Sequence, residues 1–387
     1  MNMQFENEKS FIFNCLKAFI HGTTVSSTGL DDLSSSNFNW NWIIQAGQAG
    51  RILPFLIHIF EKEGYLKYFS SGDQMGFQGV LMHSEWENRG KRVEFSKVKD
   101  LFENENIFLI PLKGIALTCL VYPETPFRSM ADVDILIQEN DLQKAREILL
   151  SNGFMLSETK NRWQAKPMMN VIGRWSFVQG NTDVDLQWCP KFFTQDGLVS
   201  WDAQGAWERA ESFRQLGGNV FMLSASDQIL YLSLQILNDI EINTVHMIQL
   251  LDLASVMKKY KLNCDTLLQA STLSPSLKKP LSAFLRIVEE CFFEGKSYET
   301  LSSGSLAFFE RFFELSPKPE RGFAIRRVLQ LIHSPWECFL FVIGYFVPSQ
   351  SMLQKYSSSH FFGKVNCYLD HWRKQAFSFF KMVLRQR

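Results

Sequence analysis

Three aspartates carry the chemistry this chain can offer. Asp132 and Asp134 flank Val133 in Ala131-Asp132-Val133-Asp134-Ile135-Leu136-Ile137, and Asp185 follows in Thr182-Asp183-Val184-Asp185-Leu186-Gln187-Trp188. Residues two apart on a strand point to the same side, so Asp132 and Asp134 present their carboxylates together. Adjacent carboxylates repel, and burial worsens the repulsion. A hard divalent cation such as Mg²⁺ or Mn²⁺ resolves it, because it takes oxygen ligands and keeps positions open for phosphate oxygens. A third acid from a neighbouring strand completes such a site. Asp185 is the first choice, and Asp183, on the same strand face, is the alternate. Two ions about 3.5–4 Å apart can clamp the attacking and leaving oxygens of an in-line displacement. The expected chemistry is therefore transfer of a nucleotidyl group. Asp132 and Asp134 would ligate both ions, and Asp185 would ligate one and help take the acceptor's proton.

Two cations and a glycine precede these acids. Pro111-Leu112-Lys113-Gly114 turns the chain into a helical run, Ile115 to Tyr122, that stops at Pro123. The start of that helix offers free backbone N–H groups and the positive end of its dipole to a phosphate. Gly114 would let the phosphate come close, and Lys113 and Arg128 would neutralise triphosphate charge. A single D-x-D is weak evidence, since a chain this long should show about one by chance. Here there are two, each opening a strand-like run. The alternative reading is solvated acids at a strand edge, with Arg128 paired to Glu124.

The elements that must position these groups follow from periodicity. Lys9 to His21, Phe38 to Phe60 (kinked or divided at Pro54) and Gln74 to Asn104 are helical patterns. Ile107 to Ile110 is a short apolar strand. Val133 to Ile137 is the acid-bearing strand. Asn140 and Gln143 are placed to form a capping box for the next helix, which Gly153 ends. Arg174 to Val178 and Val184 to Trp188 form strands around a Gly180-Asn181 turn. Asp227 to Leu237 and Asn243 to Tyr260 are helices, and further helices are expected over 276–293, 305–315, 323–333, 335–346 and 366–385. The fold class is α+β: a small mixed-sheet core over 106–223, flanked by helical N-terminal (1–105) and C-terminal (224–387) domains.

Forty basic residues balance forty acidic ones, so no global charge draws the chain to nucleic acid or anionic membrane. The seven cysteines are scattered without a C-x-x-C pair, which points to a reducing compartment rather than a disulfide or zinc framework. The first residues lack a signal-peptide pattern. The longest apolar run, Trp336 to Val347, is too short to span a bilayer, which needs about twenty residues. A cytoplasmic protein without a transmembrane segment is expected. His58 and His83 stand alone and read as ordinary core or surface residues.

Leu112-Lys113-Gly114, Tyr122-Pro123, Arg128 and Asp132-Val133-Asp134-Ile135-Leu136-Ile137 together resemble the bacterial family of uncharacterised nucleotidyltransferases, within the DNA polymerase β-like nucleotidyltransferase superfamily. That family's later strand reads aspartate, apolar, histidine, tryptophan. Here it is Asp185-Leu186-Gln187-Trp188, with Gln187 in the histidine's place. The superfamily's usual Gly-Ser opening is replaced by Lys113-Gly114-Ile115. His246-Met247-Ile248-Gln249-Leu250-Leu251-Asp252-Leu253 resembles the family's helix after the catalytic core. The resemblance implies an ATP-binding or other NTP-binding transferase that moves a nucleoside monophosphate to an acceptor and releases pyrophosphate. The acceptor would be a small molecule, glycan or peptide, as in surface-polysaccharide or peptide-modification pathways. A catalytically inactive nucleotide-binding or scaffold protein is the alternative.

Overall fold

The computed structural model describes residues 5–25, 38–122, 127–157, 173–180, 182–194, 197–270 and 275–313. The helices expected beyond 315, the Trp336–Val347 run and Glu124 lie outside these residues.

Four helices come first: α1 (Glu6–His21), α2 (Trp40–Ala49), α3 (Leu53–Lys62) and α4 (Ser71–Glu103). The Asn39 side chain accepts a hydrogen bond from the Trp42 N–H and starts α2. Pro54 divides the second helical pattern. It sits in the first turn of α3, where its missing N–H is no loss. Ser70 and Asp73 form a capping box at the head of α4.

The acid-bearing sheet follows. It is built from β1 (Leu109–Pro111), β2 (Val133–Ile137), β3 (Met155–Leu156), β4 (Arg174–Gln179) and β5 (Thr182–Gln187), in the spatial order β1-β2-β5-β4-β3. β2 and β5 run parallel, with Asp134 opposite Asp185. The β4–β5 hairpin is antiparallel and sets Ser176 opposite Asp185 and Arg174 opposite Gln187. Gly180 provides its turn at φ 61°. α5 (Lys113–Leu120) links β1 to β2, and α6 (Leu142–Ser151) links β2 to β3. Every residue of β2 is buried, as a central strand covered on both faces requires.

Two local expectations fail. Asn140 does not cap α6: it lies inside a short 3₁₀ turn (Glu139–Asp141), the N-cap is Asp141 without a side-chain bond, and Gln143 donates to Glu147 instead. β1 begins at Leu109 rather than Ile107, because the Leu109 N–H bonds Asn219 and its pairing with Ile137 starts there. Two small hairpins and a short helix add to the expected order: β6 (Lys191–Thr194) with β7 (Gly197–Ser200), α7 (Ala203–Glu208), and β8 (Glu211–Ser212) with β9 (Phe221–Met222).

The chain then continues as α8 (Ala225–Glu241), α9 (Met247–Tyr260), α10 (Cys264–Ala270), α11 (Pro275–Phe292) and α12 (Ser303–Glu310). Phe11, Phe13, Phe55 and Phe60 of the first helices share one buried cluster with Leu250, Leu251, Phe292 and Phe309 of the last ones. A second cluster joins Phe95 and Phe102 of α4 to Val133, Ile135, Phe177, Val184 and Leu186 of the sheet. Packing thus brings the first helices together with the described helices after the sheet, and a third cluster joins Ile110 and Leu136 of the sheet to Tyr231 and Leu234 of α8. Among the described residues, no helix is long and apolar enough to cross a membrane.

Candidate active site

Strand pairing brings the three expected acids together. One carboxylate oxygen from each of Asp132, Asp134 and Asp185 lies within 4.8 Å of the others. Asp132 sits in the bend before β2 and is half-buried; Asp134 and Asp185 are buried. Asp183 is exposed and pairs across the hairpin with Val178, outside this cluster.

Asp134 is the most tightly held. Lys113 Nζ and Gln187 Nε2 each donate to its Oδ1 at 2.9 Å. The Tyr231 hydroxyl on α8 donates to Gln187 Oε1 at 3.0 Å, and this fixes which end of the amide faces the acid. Gln187 therefore serves as a donor where the resembling family has histidine. Among the described residues, both side-chain donors meet the same oxygen of Asp134. Burial and the repulsion of Asp132 push the Asp134 carboxyl up to about 7 although Lys113 opposes the shift. Burial alone would weaken the Lys113 ammonium, but Asp134 more than offsets it and holds the lysine protonated.

Asp185 has two neighbours across the hairpin. Ser176 Oγ donates to its Oδ1 at 2.5 Å, and Arg174 Nη1 lies 3.4 Å from its Oδ2. Burial would lower the Arg174 guanidinium, and the facing carboxylates of Asp185 and Asp134 raise it. Arg174, Ser176 and Tyr231 were not among the residues singled out from sequence. Arg174 and Ser176 were accessible through the hairpin register, since they alternate along β4 as Asp185 and Gln187 do along β5. Tyr231 carried no such signal.

Lys113 itself adopts a left-handed backbone at φ 43°, a conformation that costs a non-glycine residue energy and recurs at functional sites. Gly114 is required for packing. A Cβ there would stand 2.7 Å from Met130 Cγ and 3.1 Å from Arg128 Nη1. Arg128 turns away from the acids toward α9. Its Nη2 meets Asp252 Oδ2 at 2.8 Å and its Nε meets Oδ1 at 3.4 Å, while Nη1 donates to the Ser129 carbonyl at 2.9 Å. Asn88 of α4 braces the same loop by donating to the Arg128 carbonyl and accepting from the Met130 N–H. The loop ahead of Asp132 is thus pinned to α4 and α9. His246 caps the start of α9, its Nδ1 2.9 Å from the Ala49 carbonyl oxygen, and takes no part in the acid cluster. A cavity of about 500 Å³ opens beside the loop, lined by Arg51, Pro54, His83, Glu87, Met130 and Ala131.

The donor set fits a hard divalent cation. It consists of carboxylate oxygens alone, and among the described residues the ion pairs that reach the three acids come from Lys113 and Arg174, two cations for three carboxylates.

A core of this construction, with one acid in the bend before a central strand, a second on that strand and a third on its parallel neighbour, defines an α+β nucleotidyltransferase-like domain. Residues 36–293 match the family model described as uncharacterised nucleotidyltransferase, and the chain belongs to that family. No curated protein matches the chain. Among solved structures, the solution structure of the antibiotic-resistance factor ANT(2'')-Ia is similar at 12% identity and a TM-score of 0.33, covering 51% of this chain and 92% of that one.

Proposed function

We propose that this protein moves a nucleoside monophosphate from a nucleoside triphosphate to an acceptor hydroxyl or phosphate, using Mg²⁺ or Mn²⁺ held by Asp132, Asp134 and Asp185. The observation that carries this reading is the convergence within 4.8 Å of three acids, Asp134 and Asp185 from two parallel strands and Asp132 from the bend before the first, with ion pairs from Lys113 and Arg174. A bound divalent cation would supply charge neutralisation and a template for in-line displacement. The chain's own residues supply the rest. Lys113 and Gln187 fix Asp134 through one oxygen, so its carboxylate is oriented in advance. Asp185, steadied by Ser176, is placed to accept the proton of an acceptor hydroxyl. The acceptor oxygen forms a bond to the α-phosphorus as the bond to pyrophosphate breaks, and pyrophosphate leaves. Lys113 and Gly114 open α5, whose first N–H groups suit the triphosphate. Arg128 acts one step back, holding the loop before Asp132 against α9.

The cavity beside Met130 and Ala131 is the proposed seat of the acceptor, a small molecule, glycan or peptide, with surface-polysaccharide or peptide modification as the pathway class. Unpaired Cys15, Cys119, Cys189, Cys264 and Cys291 suit the cytoplasm, where NTPs are made. The second reading is a catalytically inactive nucleotide-binding scaffold. The Lys113–Asp134 ion pair favours it, because a lysine already neutralises the central acid.

Calorimetric titration with each NTP, with and without Mg²⁺, and a pyrophosphate-release assay test both. Metal-dependent binding that disappears in Asp134→Asn, with pyrophosphate release, supports the transferase. Binding without metal and without turnover supports the scaffold. No NTP binding under any condition refutes the transferase and leaves a scaffold that does not bind nucleotide.

A further inference from the structure

The helix α4 carries an apolar stripe on the side away from the protein's core. Its buried face is drawn from Phe77, Ser84, Asn88, Lys91, Phe95, Val98 and Phe102. On the opposite face, Met75 is 73% exposed, Met82 71%, Trp86 69% and Val93 52%. Their spacing of seven, four and seven keeps all four within about 20° of one line along the helix. Four large apolar side chains in a row on solvent are unusual for a helix of mixed charge, and they mark an interaction surface.

We propose that this stripe is the contact by which two copies of the chain associate, with their α4 helices antiparallel about a two-fold axis level with residue 84. The spacing is self-complementary about that level. Residues 75 and 93 lie equally far from it, and so do 82 and 86. Met75 of each copy therefore meets Val93 of the other, and Met82 meets Trp86, as an isologous interface requires. A two-fold axis of this kind also joins like edges of the stripe. Gly79 and Gly90 lie on one edge with open space around them, and glycine falls opposite glycine, which allows close approach of the helices. Gln78 and Arg89 lie on the other edge and fall opposite each other. The Gln78 amide nitrogen donates to Glu61, so its carbonyl oxygen remains to accept from Arg89 of the second copy. The four side chains offer roughly 500 Å² of apolar surface per copy, or about 1,000 Å² across the pair, near the lower bound for a specific interface. This inference stands apart from the nucleotidyl-transfer reading.

Sedimentation equilibrium of the full chain at micromolar concentration gives the first test. A dimer is expected. Trp86→Glu should raise its dissociation constant at least tenfold with an unchanged circular dichroism spectrum. Gly79→Leu should do the same by separating the helices. It favours helix locally, so loss of the dimer could not be put down to unfolding. Orientation is read by disulfide trapping and peptide mass spectrometry. A mixture of Met75→Cys and Val93→Cys proteins should cross-link between positions 75 and 93, and neither variant should link to itself at those positions. A monomeric wild type would overturn the proposal, whether its stripe is covered by the protein's own C-terminal segment or binds lipid vesicles. So would a dimer indifferent to both α4 variants, or a 75–75 link.

Discussion

Two buried aspartates in this molecule are each met by a basic side chain, and their surroundings make them different objects. Asp252 on α9 faces Arg128 in a two-point contact, one charge against one. Asp134 on β2 faces Lys113, but Asp132 and Asp185 stand beside it. The first pair is balanced and ties a loop to a helix. The second lies in an acidic excess, and burial with Asp132's repulsion lifts Asp134 to about 7. Contact geometry alone does not separate the two. The number of charges within reach does, because each buried carboxylate adds to the cost of ionising the next.

The sharpest way to break this comparison is to neutralise one acid at each site. Asp134→Asn should lower pyrophosphate release by roughly a hundred- to thousandfold while the fold persists. Asp252→Asn should leave release within about tenfold of wild type and act chiefly on stability. If both variants lose turnover equally, the separation of roles fails.

Removing the cations should reverse the ranking. Arg128→Ala leaves Asp252 buried and unpaired, and a loss of about 3–5 kcal/mol is expected in urea unfolding. Lys113→Ala should cost less, about 1–2 kcal/mol near neutral pH, because Asp134 can take up a proton in place of its partner. A larger loss for Lys113→Ala would show that Asp134 stays ionised in the fold.

The pH dependence sharpens the same point. Asp134 ordinarily ionises near 3.8 and in the fold near about 7, so the folded state holds the proton more tightly than the unfolded chain. Its contribution to stability is full below the ordinary value and is lost as pH rises through the folded one. In a chelating buffer the melting temperature should fall between about pH 4 and pH 7. In Asp134→Asn that decline should flatten. An identical decline in the variant would assign it to other groups.

The smallest effect is expected at the edge of the site. Tyr231→Phe removes the bond that orients Gln187 and should cost about 1 kcal/mol, with a modest fall in turnover. Asp183→Asn, at an exposed position outside the acid cluster, should stay within about 0.5 kcal/mol of wild type. A large loss of turnover in Asp183→Asn would move the third acid to that position.

Val133–Ile137 coincides with the sequence reading because five apolar-rich residues between a turn and a capping region leave little alternative to a strand. The division at Pro54 was legible for an equally local reason, the ring's exclusion from a helix interior. Asn140 misled because a capping pattern specifies a possible bond, and the 3₁₀ turn at Glu139–Asp141 moved the helix start past it. β6 to β9 were missed because pairs of two to four residues carry too little periodicity to stand out.

By itself, the sequence determined Asp132 and Asp134 at the head of one strand, a choice between Asp185 and Asp183 on another, the lysine-glycine turn and the helices on either side, since each depends on residues close together in the chain. Tertiary structure alone decided that Arg128 serves Asp252, that Gly114 makes room for Met130, and that Tyr231 orients Gln187 toward Asp134. Those contacts join residues far apart in sequence. Their partners are chosen by packing of the sheet against α8 and α9, and by which oxygens burial leaves within reach, and local pattern records neither.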